Sequence, residues 1–227
     1  MQALNASRMT PSGYIDVRRA EFMATIAPSF TPDQMEFIEA AYFLSKNAHR
    51  PQTRDDGTRY FEHPKTVAWL IAVHFGIHDY RTICIALLHD MLEDSFIMTP
   101  RFIRRTFNQK IMMGCKIMSK NDFDKTVVGD VDAAYYARFV SADASWRELV
   151  VKLADRIHNV FTMDHMDLDR VERKLDETDR LFPALQERLL SIVPAKHYEA
   201  VQNLCATFDV VVAERRLWLE QERSMAS

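Results

Sequence analysis

Three stretches of the chain carry acid–base and metal-ligating side chains where helical burial would otherwise favour apolar ones. His63 stands immediately before Pro64. A proline pushes its predecessor away from the αR region, so His63 is expected at a loop–helix junction, projecting from a fixed corner. The second stretch is His89-Asp90-Met91-Leu92-Glu93-Asp94, directly after the apolar run Ile83 to Leu88. On one continuous helix, at about 100° per residue, His89, Asp90, Glu93 and Asp94 fall within an arc of roughly 140°. Carboxylates crowded there repel each other, and burying them without a counter-charge is costly. A divalent cation removes that penalty. A solvated acidic helix end is the alternative, which the apolar run leading into the cluster weakens.

The third stretch is Val150 to Asn159, where Asp155, Asn159 and Thr162 recur at helical spacing with Lys152 one turn upstream. Val150, Leu153, Ile157 and Phe161 occupy the other side. Such a polar stripe needs partners, either a site or plain water. Taken together, His63, His89, Asp90 and Asp155 make a mixed nitrogen and oxygen donor set. That set suits manganese, iron or zinc better than calcium or magnesium. The adjacent His-Asp pair, offered to one ion, is the signature of the HD phosphohydrolase superfamily.

The elements that must hold these residues are helical. Glycines and prolines are few, 5 and 8 in 227 residues, which favours helices over an all-β fold. Thr31 with Pro32 and Gln34 predicts a capped helix start. Polar residues 49–62 predict a loop, and Pro64 a new helix. Helices are expected over Tyr80–Asp94, Pro100–Phe107, Gln109–Met118 and Val131–Val140, with a loop at 121–129. Ser145 and Glu148 predict a second capping box, opening a helix to about Met163. Leu168–Leu190 is expected to be helical but kinked or broken at Pro183. Ala195 to about Gln221 predicts a last helix, with Tyr198, Val201, Cys205, Phe208, Val212 and Leu219 on one stripe. Packing on the domain or a homo-oligomer surface both suit that stripe. The organisation expected is all-α: an N-terminal arm at 1–30, loosely attached, an HD-domain helical bundle at 31–192, and a C-terminal helical extension at 193–227.

RDDGTRYFEHP (54–64), ALLHDMLEDS (86–95) and VKLADRIHNVFTM (151–163) together resemble the hydrolase domain of the RelA/SpoT family. Ser119-Lys120 and Glu177-Thr178 resemble further landmarks of that family. The likeness spans roughly Asp33 to Leu190 and implies the stand-alone small alarmone hydrolase type. That family removes pyrophosphate from the 3′ position of (p)ppGpp in the stringent response, with manganese as the metal. Carried over residue by residue, the resemblance assigns the metal to His63, His89, Asp90 and Asp155, and catalysis to Glu93 and Asp94. It places Arg54, Asn159 and Thr162 at the nucleotide. Lys152 and Arg138 are further candidates for phosphate charge, with Lys120 behind them. Two positions depart from the family pattern. Asp55 stands where lysine is usual, and Phe161 where arginine is usual in the long enzymes. They leave the metal set intact and bear on the substrate. An HD phosphohydrolase acting on a deoxynucleotide, NADPH or another phosphate ester is the alternative enzyme. A catalytically silent nucleotide-binding module is the alternative of another class.

The net charge of −3 gives no basic footprint, so no DNA or RNA partner is expected, only a small-molecule nucleotide. No apolar stretch approaches a membrane span. Residues 1–20 lack the continuous apolar core of a secretory signal. Cys84, Cys115 and Cys205 contain no CxxC pair and are expected to be reduced thiols in a cytoplasmic setting.

Overall fold

The computed structural model describes residue 10 and residues 13–94, 99–120 and 129–226. All regular structure among them is helical, apart from one isolated antiparallel bridge between Thr53 and Arg59. Helices α1 (Arg19–Ile26), α2 (Pro32–Ala48), α3 (Glu62–Trp69), α4 (Tyr80–Leu88) and α5 (Met91–Asp94) form the first half. Helices α6 (Pro100–Thr106), α7 (Gln109–Met118), α8 (Val131–Val140), α9 (Trp146–Phe161), α10 (Leu168–Ile192) and α11 (Tyr198–Ala226) follow. Both expected capping boxes are present, Thr31 with Gln34 and Ser145 with Glu148.

The bundle is organised around α4 and α9. Asp79 caps α4 by accepting the Thr82 amide, and every residue from Thr82 to Leu88 is buried. Helix α4 packs against α2, α3, α7 and α9. Helix α9 is buried almost all round, its polar stripe included. Helices α10 and α11 pack on it too, and its polar stripe lines a cavity. Each fully buried aliphatic side chain here contributes about 1.5–3 kcal/mol. That burial is what holds polar Lys152, Asp155 and His158 inside the bundle against their desolvation.

Several expectations are corrected. Helix α3 begins at Glu62, so His63 lies within its first turn and Pro64 is the third helical residue. Amides in a first turn have no intrahelical acceptor, so proline sits there without losing a hydrogen bond. The helix predicted over Tyr80–Asp94 is interrupted at His89-Asp90, and α5 is a separate short turn. Helix α10 runs unbroken through Pro183. The missing bond costs about 3 kcal/mol. Buried Phe182, Leu185 and Leu189 offset it, with Phe182 stacked on Phe208 of α11 at 5.1 Å. The α11 stripe packs inward from Val201 onward, whereas Tyr198 is exposed. The N-terminal segment is not loose from Gly13 onward: Tyr14, Ile15, Val17, Phe22 and Ile26 are buried. Of the loop expected at 121–129, residues 121–128 lie outside the described residues.

Candidate metal centre and its cavity

His63, His89, Asp90 and Asp155 converge from α3, the α4–α5 junction and α9. One ligand atom each from His63, His89 and Asp90 lies within 4.8 Å of the others. Asp90 Oδ2 is 3.2 Å from His89 Nε2 and 3.8 Å from His63 Nε2. Asp155 Oδ1 is 3.1 Å from His63 Nε2 and 3.7 Å from His89 Nε2. His89 and Asp90 stand where α4 gives way to α5, and His89 keeps helical backbone angles, φ −61 and ψ −35.

The rings are held in the orientation a ligand needs. His89 Nδ1 donates to the Ala86 carbonyl at 2.7 Å, which turns Nε2 toward the centre. His89 Nε2 is buried and has no hydrogen-bond partner. A buried ring nitrogen beside two carboxylates is the donor chemistry a divalent transition ion satisfies. His63 Nδ1 meets His158 Nδ1 at 2.7 Å, and both imidazoles are buried. Burial, with Arg54 nearby, pushes the His63 pKa down to about 4. Burial, with His63 beside it, also holds His158 well below the ordinary histidine range. Both rings are therefore neutral near neutrality, and one donates to the other. Burial disfavours the charged form of His89 as well, but Asp90 and Asp155 overcome it and hold its pKa well above the ordinary value.

The carboxylates are fixed in turn. Tyr60 Oη donates to Asp90 Oδ2 at 2.9 Å. Asn159 Nδ2 donates to Asp155 Oδ1 at 2.6 Å, and Lys152 Nζ reaches Asp155 Oδ2 at 3.3 Å. Burial alone would raise the Asp155 carboxyl, but Lys152 and the two imidazoles keep it well below the usual range. The Lys152 ammonium packs on the Tyr135 and Tyr136 rings at 5.2 and 5.6 Å. Burial works against its charge, yet those rings and Asp155 hold its pKa well above the usual lysine value.

His63, Asp90 and Asp155 open into a cavity of about 360 Å³. Arg54, Lys120, Lys152, Asn159 and Thr162 all line it. Arg54 Nη2 donates to Asn159 Oδ1 at 2.8 Å, which joins the loop before α3 to α9. Two further cations, Arg156 of α9 and Lys174 of α10, line it as well. Glu93 is half-buried and accepts the Lys120 backbone amide, but it is not part of the cavity wall. The Asp94 side chain lies outside the described residues. Arg138 does not line the cavity either. Its guanidinium donates to the Ile117 and Ser119 carbonyls, both at 2.6 Å, closing the end of α7.

The two departures from the family pattern have local explanations. Asp55 is exposed and pairs with Arg170 of α10 at 3.0 Å, so its charge is answered from across the cavity mouth. Phe161 packs on the core, and a side chain at Gly13 would collide with its ring: a Cβ there would lie 2.5 Å from Phe161 Cδ1. Gly13 also holds φ +85, which glycine alone adopts without strain.

Sequence reasoning missed Tyr60, His158 and Arg156 as site residues. Arg156 donates to Glu177 Oε1 at 2.7 Å and Thr178 Oγ1 at 3.2 Å, so the Glu177-Thr178 landmark is the anchor of a cavity arginine. His158 had a readable signal, since it stands three residues after Asp155 on the same helix. Tyr60 had none beyond its place in the stretch that ends at His63.

The HD domain family matches residues 41–190. The bifunctional (p)ppGpp synthase/hydrolase SpoT of Escherichia coli K12 is 32% identical over 161 residues, covering 69% of this chain and 22% of that protein. The GTP pyrophosphokinase of Streptomyces coelicolor is 32% identical over 164 residues, covering 71% and 19%. This chain thus spans about a fifth of the length of those relatives. A solved chain described as a metazoan ortholog of SpoT that hydrolyzes ppGpp shares the fold, with TM-score 0.59 and 19% identity over 82% of this chain and 97% of that one.

Proposed function

Because the chain belongs to the HD-domain family, we propose that it is a metal-dependent phosphohydrolase that removes the 3′-diphosphate of (p)ppGpp, releasing pyrophosphate and GDP or GTP. The observation that carries this function is the convergence of His63, His89, Asp90 and Asp155 beside a cavity that Arg54, Lys120, Lys152, Arg156 and Lys174 also line. Burial lowers the Lys174 pKa, and Arg156, Arg170 and Lys120 add to the effect. A cation cluster of that kind is relieved by a polyanion, and a nucleotide phosphorylated at both ends supplies one. Relatives named for (p)ppGpp hydrolysis add support.

The four donors would hold the ion, with manganese favoured by the mixed imidazole and carboxylate set. Once bound, a divalent ion supplies Lewis-acid activation of a phosphoryl oxygen and of water. The remaining work belongs to the chain. Arg54, Lys152 and Lys120 neutralise phosphate charge, and Asn159 and Thr162 bound the nucleotide side of the cavity. Glu93 stands behind the lining residues, where it accepts the amide of cavity residue Lys120. The family resemblance makes it the proposed acid–base group, with Asp94 beside it in sequence. Water forms a bond to the phosphorus joined to the 3′ oxygen. The P–O3′ bond breaks, pyrophosphate departs, and the 3′ oxygen takes up a proton.

No helix among the described residues is long and apolar enough to cross a membrane, and Cys84, Cys115 and Cys205 are buried free thiols. Both fit the cytoplasmic setting proposed for this activity. The test is a substrate panel with manganese: ppGpp, a deoxynucleoside triphosphate and NADPH. Pyrophosphate release confined to ppGpp supports the proposal. Turnover of another phosphate ester alone, or binding of ppGpp without turnover, would replace it.

A further inference from the structure

A fully buried arginine ties α11 to the wall of the cavity. Arg215 is 2% exposed, and an arginine is rarely withdrawn from water to that extent without specific partners. Its Nη2 donates to the Phe161 carbonyl at 2.8 Å, at the C-terminal end of α9. Its Nη1 pairs with Asp164, and its guanidinium lies 4.6 Å from the Trp218 ring. A cation suits that place, because the last carbonyls of a helix carry partial negative charge and lack intrahelical donors. Asp164 belongs to the 3-10 turn Met163–His165 that follows α9. One guanidinium therefore clamps the end of α9 to the next turn. Thr162, Met163, His165 and Met166 in this corner all line the cavity. Asn159, which bonds both Asp155 and Arg54, lies in the last turn of α9.

We propose that Arg215 is a positioning residue for substrate, which makes α11 a structural part of the binding site. The inference rests on the function proposed above. Arg215 touches neither the metal donors nor the reacting atoms, so it acts through the backbone of residues 161–166. Its loss should loosen the substrate wall and leave the ion and the chemical step in place.

The experiment compares Arg215→Met, Arg215→Lys and Asp164→Asn with the unaltered full chain, all loaded with manganese. Arg215→Met should raise KM for ppGpp about tenfold while kcat stays within about twofold. Manganese affinity should hold, and Arg215→Lys should restore part of the loss. Amide exchange of residues 162–166 should quicken, while that of residues 84–90 should not. A parallel fall in kcat and metal affinity would show a general structural role and overturn the proposal. Unchanged KM and unchanged exchange would do the same. Should Arg215→Met not fold, Asp164→Asn decides, because Asp164 is exposed and its loss leaves Arg215 bonded to Phe161. KM and exchange should rise there too, and no change in either refutes the clamp. If the unaltered chain leaves ppGpp intact, the proposed function fails by itself, and the exchange measurement still tests the clamp.

Discussion

His63 and His158, 95 residues apart, share a hydrogen bond of 2.7 Å between their Nδ1 atoms, and both rings are buried. This bond leaves His63 Nε2 turned toward Asp155 and Asp90. His158→Gln should therefore keep the fold and lower manganese affinity about 10–100-fold, the usual effect of removing a group that orients a ligand. Calorimetric titration of the purified variant measures it. Affinity equal to that of the unaltered chain would reduce His158 to packing.

Proton release should accompany metal binding. Asp90 and Asp155 hold the metal-free His89 pKa well above its ordinary value, although burial opposes them. The ring therefore carries a proton near neutrality that an incoming ion must displace. About one proton per ion should appear at about pH 7, and apparent affinity should rise with pH. Titration in buffers of different ionisation enthalpy counts that proton. Binding with no proton released would mean that His89 is neutral before the ion arrives.

Arg54 tests the substrate side separately. Its guanidinium bonds Asn159 Oδ1 at 2.8 Å and is not itself a metal donor. Arg54→Ala should weaken ppGpp binding by about 1.5–3 kcal/mol, a rise in KM of about tenfold or more, with manganese affinity nearly unchanged. Steady-state kinetics at saturating metal separates the two, and an unaltered KM removes Arg54 from the nucleotide.

Stability has its own titrating partner. Burial would raise the Asp79 carboxyl, but the paired hydrogen bonds from Arg147, at 2.8 and 2.9 Å, lower its pKa below the ordinary value. Asp79 also caps α4. Asp79→Asn should cost about 2–4 kcal/mol near neutrality. A depressed carboxyl pKa contributes stability that is present above the unfolded value of about 3.9 and is lost as pH falls through the folded value. The gap in Tm between the two proteins should be flat above about pH 5 and shrink below about pH 4. A gap that widens on acidification contradicts this pairing.

Local signals in the sequence were read most faithfully where chemistry and spacing coincide. The limits of α7 and α8 and both capping boxes follow from short-range rules, since a cap acts within three residues. The convergence of His63, His89, Asp90 and Asp155 is legible because buried polar residues on apolar helices demand partners. What was not legible depends on long-range packing. The interruption at His89-Asp90 carries no local signal such as glycine or proline. The docking of residues 13–26 depends on Phe161 and Thr66: Ile15 donates its amide to Thr66 Oγ1 at 3.2 Å. Arg138 and Arg156 are alike as isolated residues. Tertiary contacts send one to the end of α7 and the other into the cavity wall.

The most direct measurement follows pyrophosphate release from ppGpp by the unaltered chain and by Asp90→Asn, each at saturating manganese, with helix content monitored in parallel. Turnover by the first and none by the second, at equal helicity, is the expected result. Full turnover by Asp90→Asn would contradict it, because the ion would then not depend on the donors that His63, His89, Asp90 and Asp155 bring together.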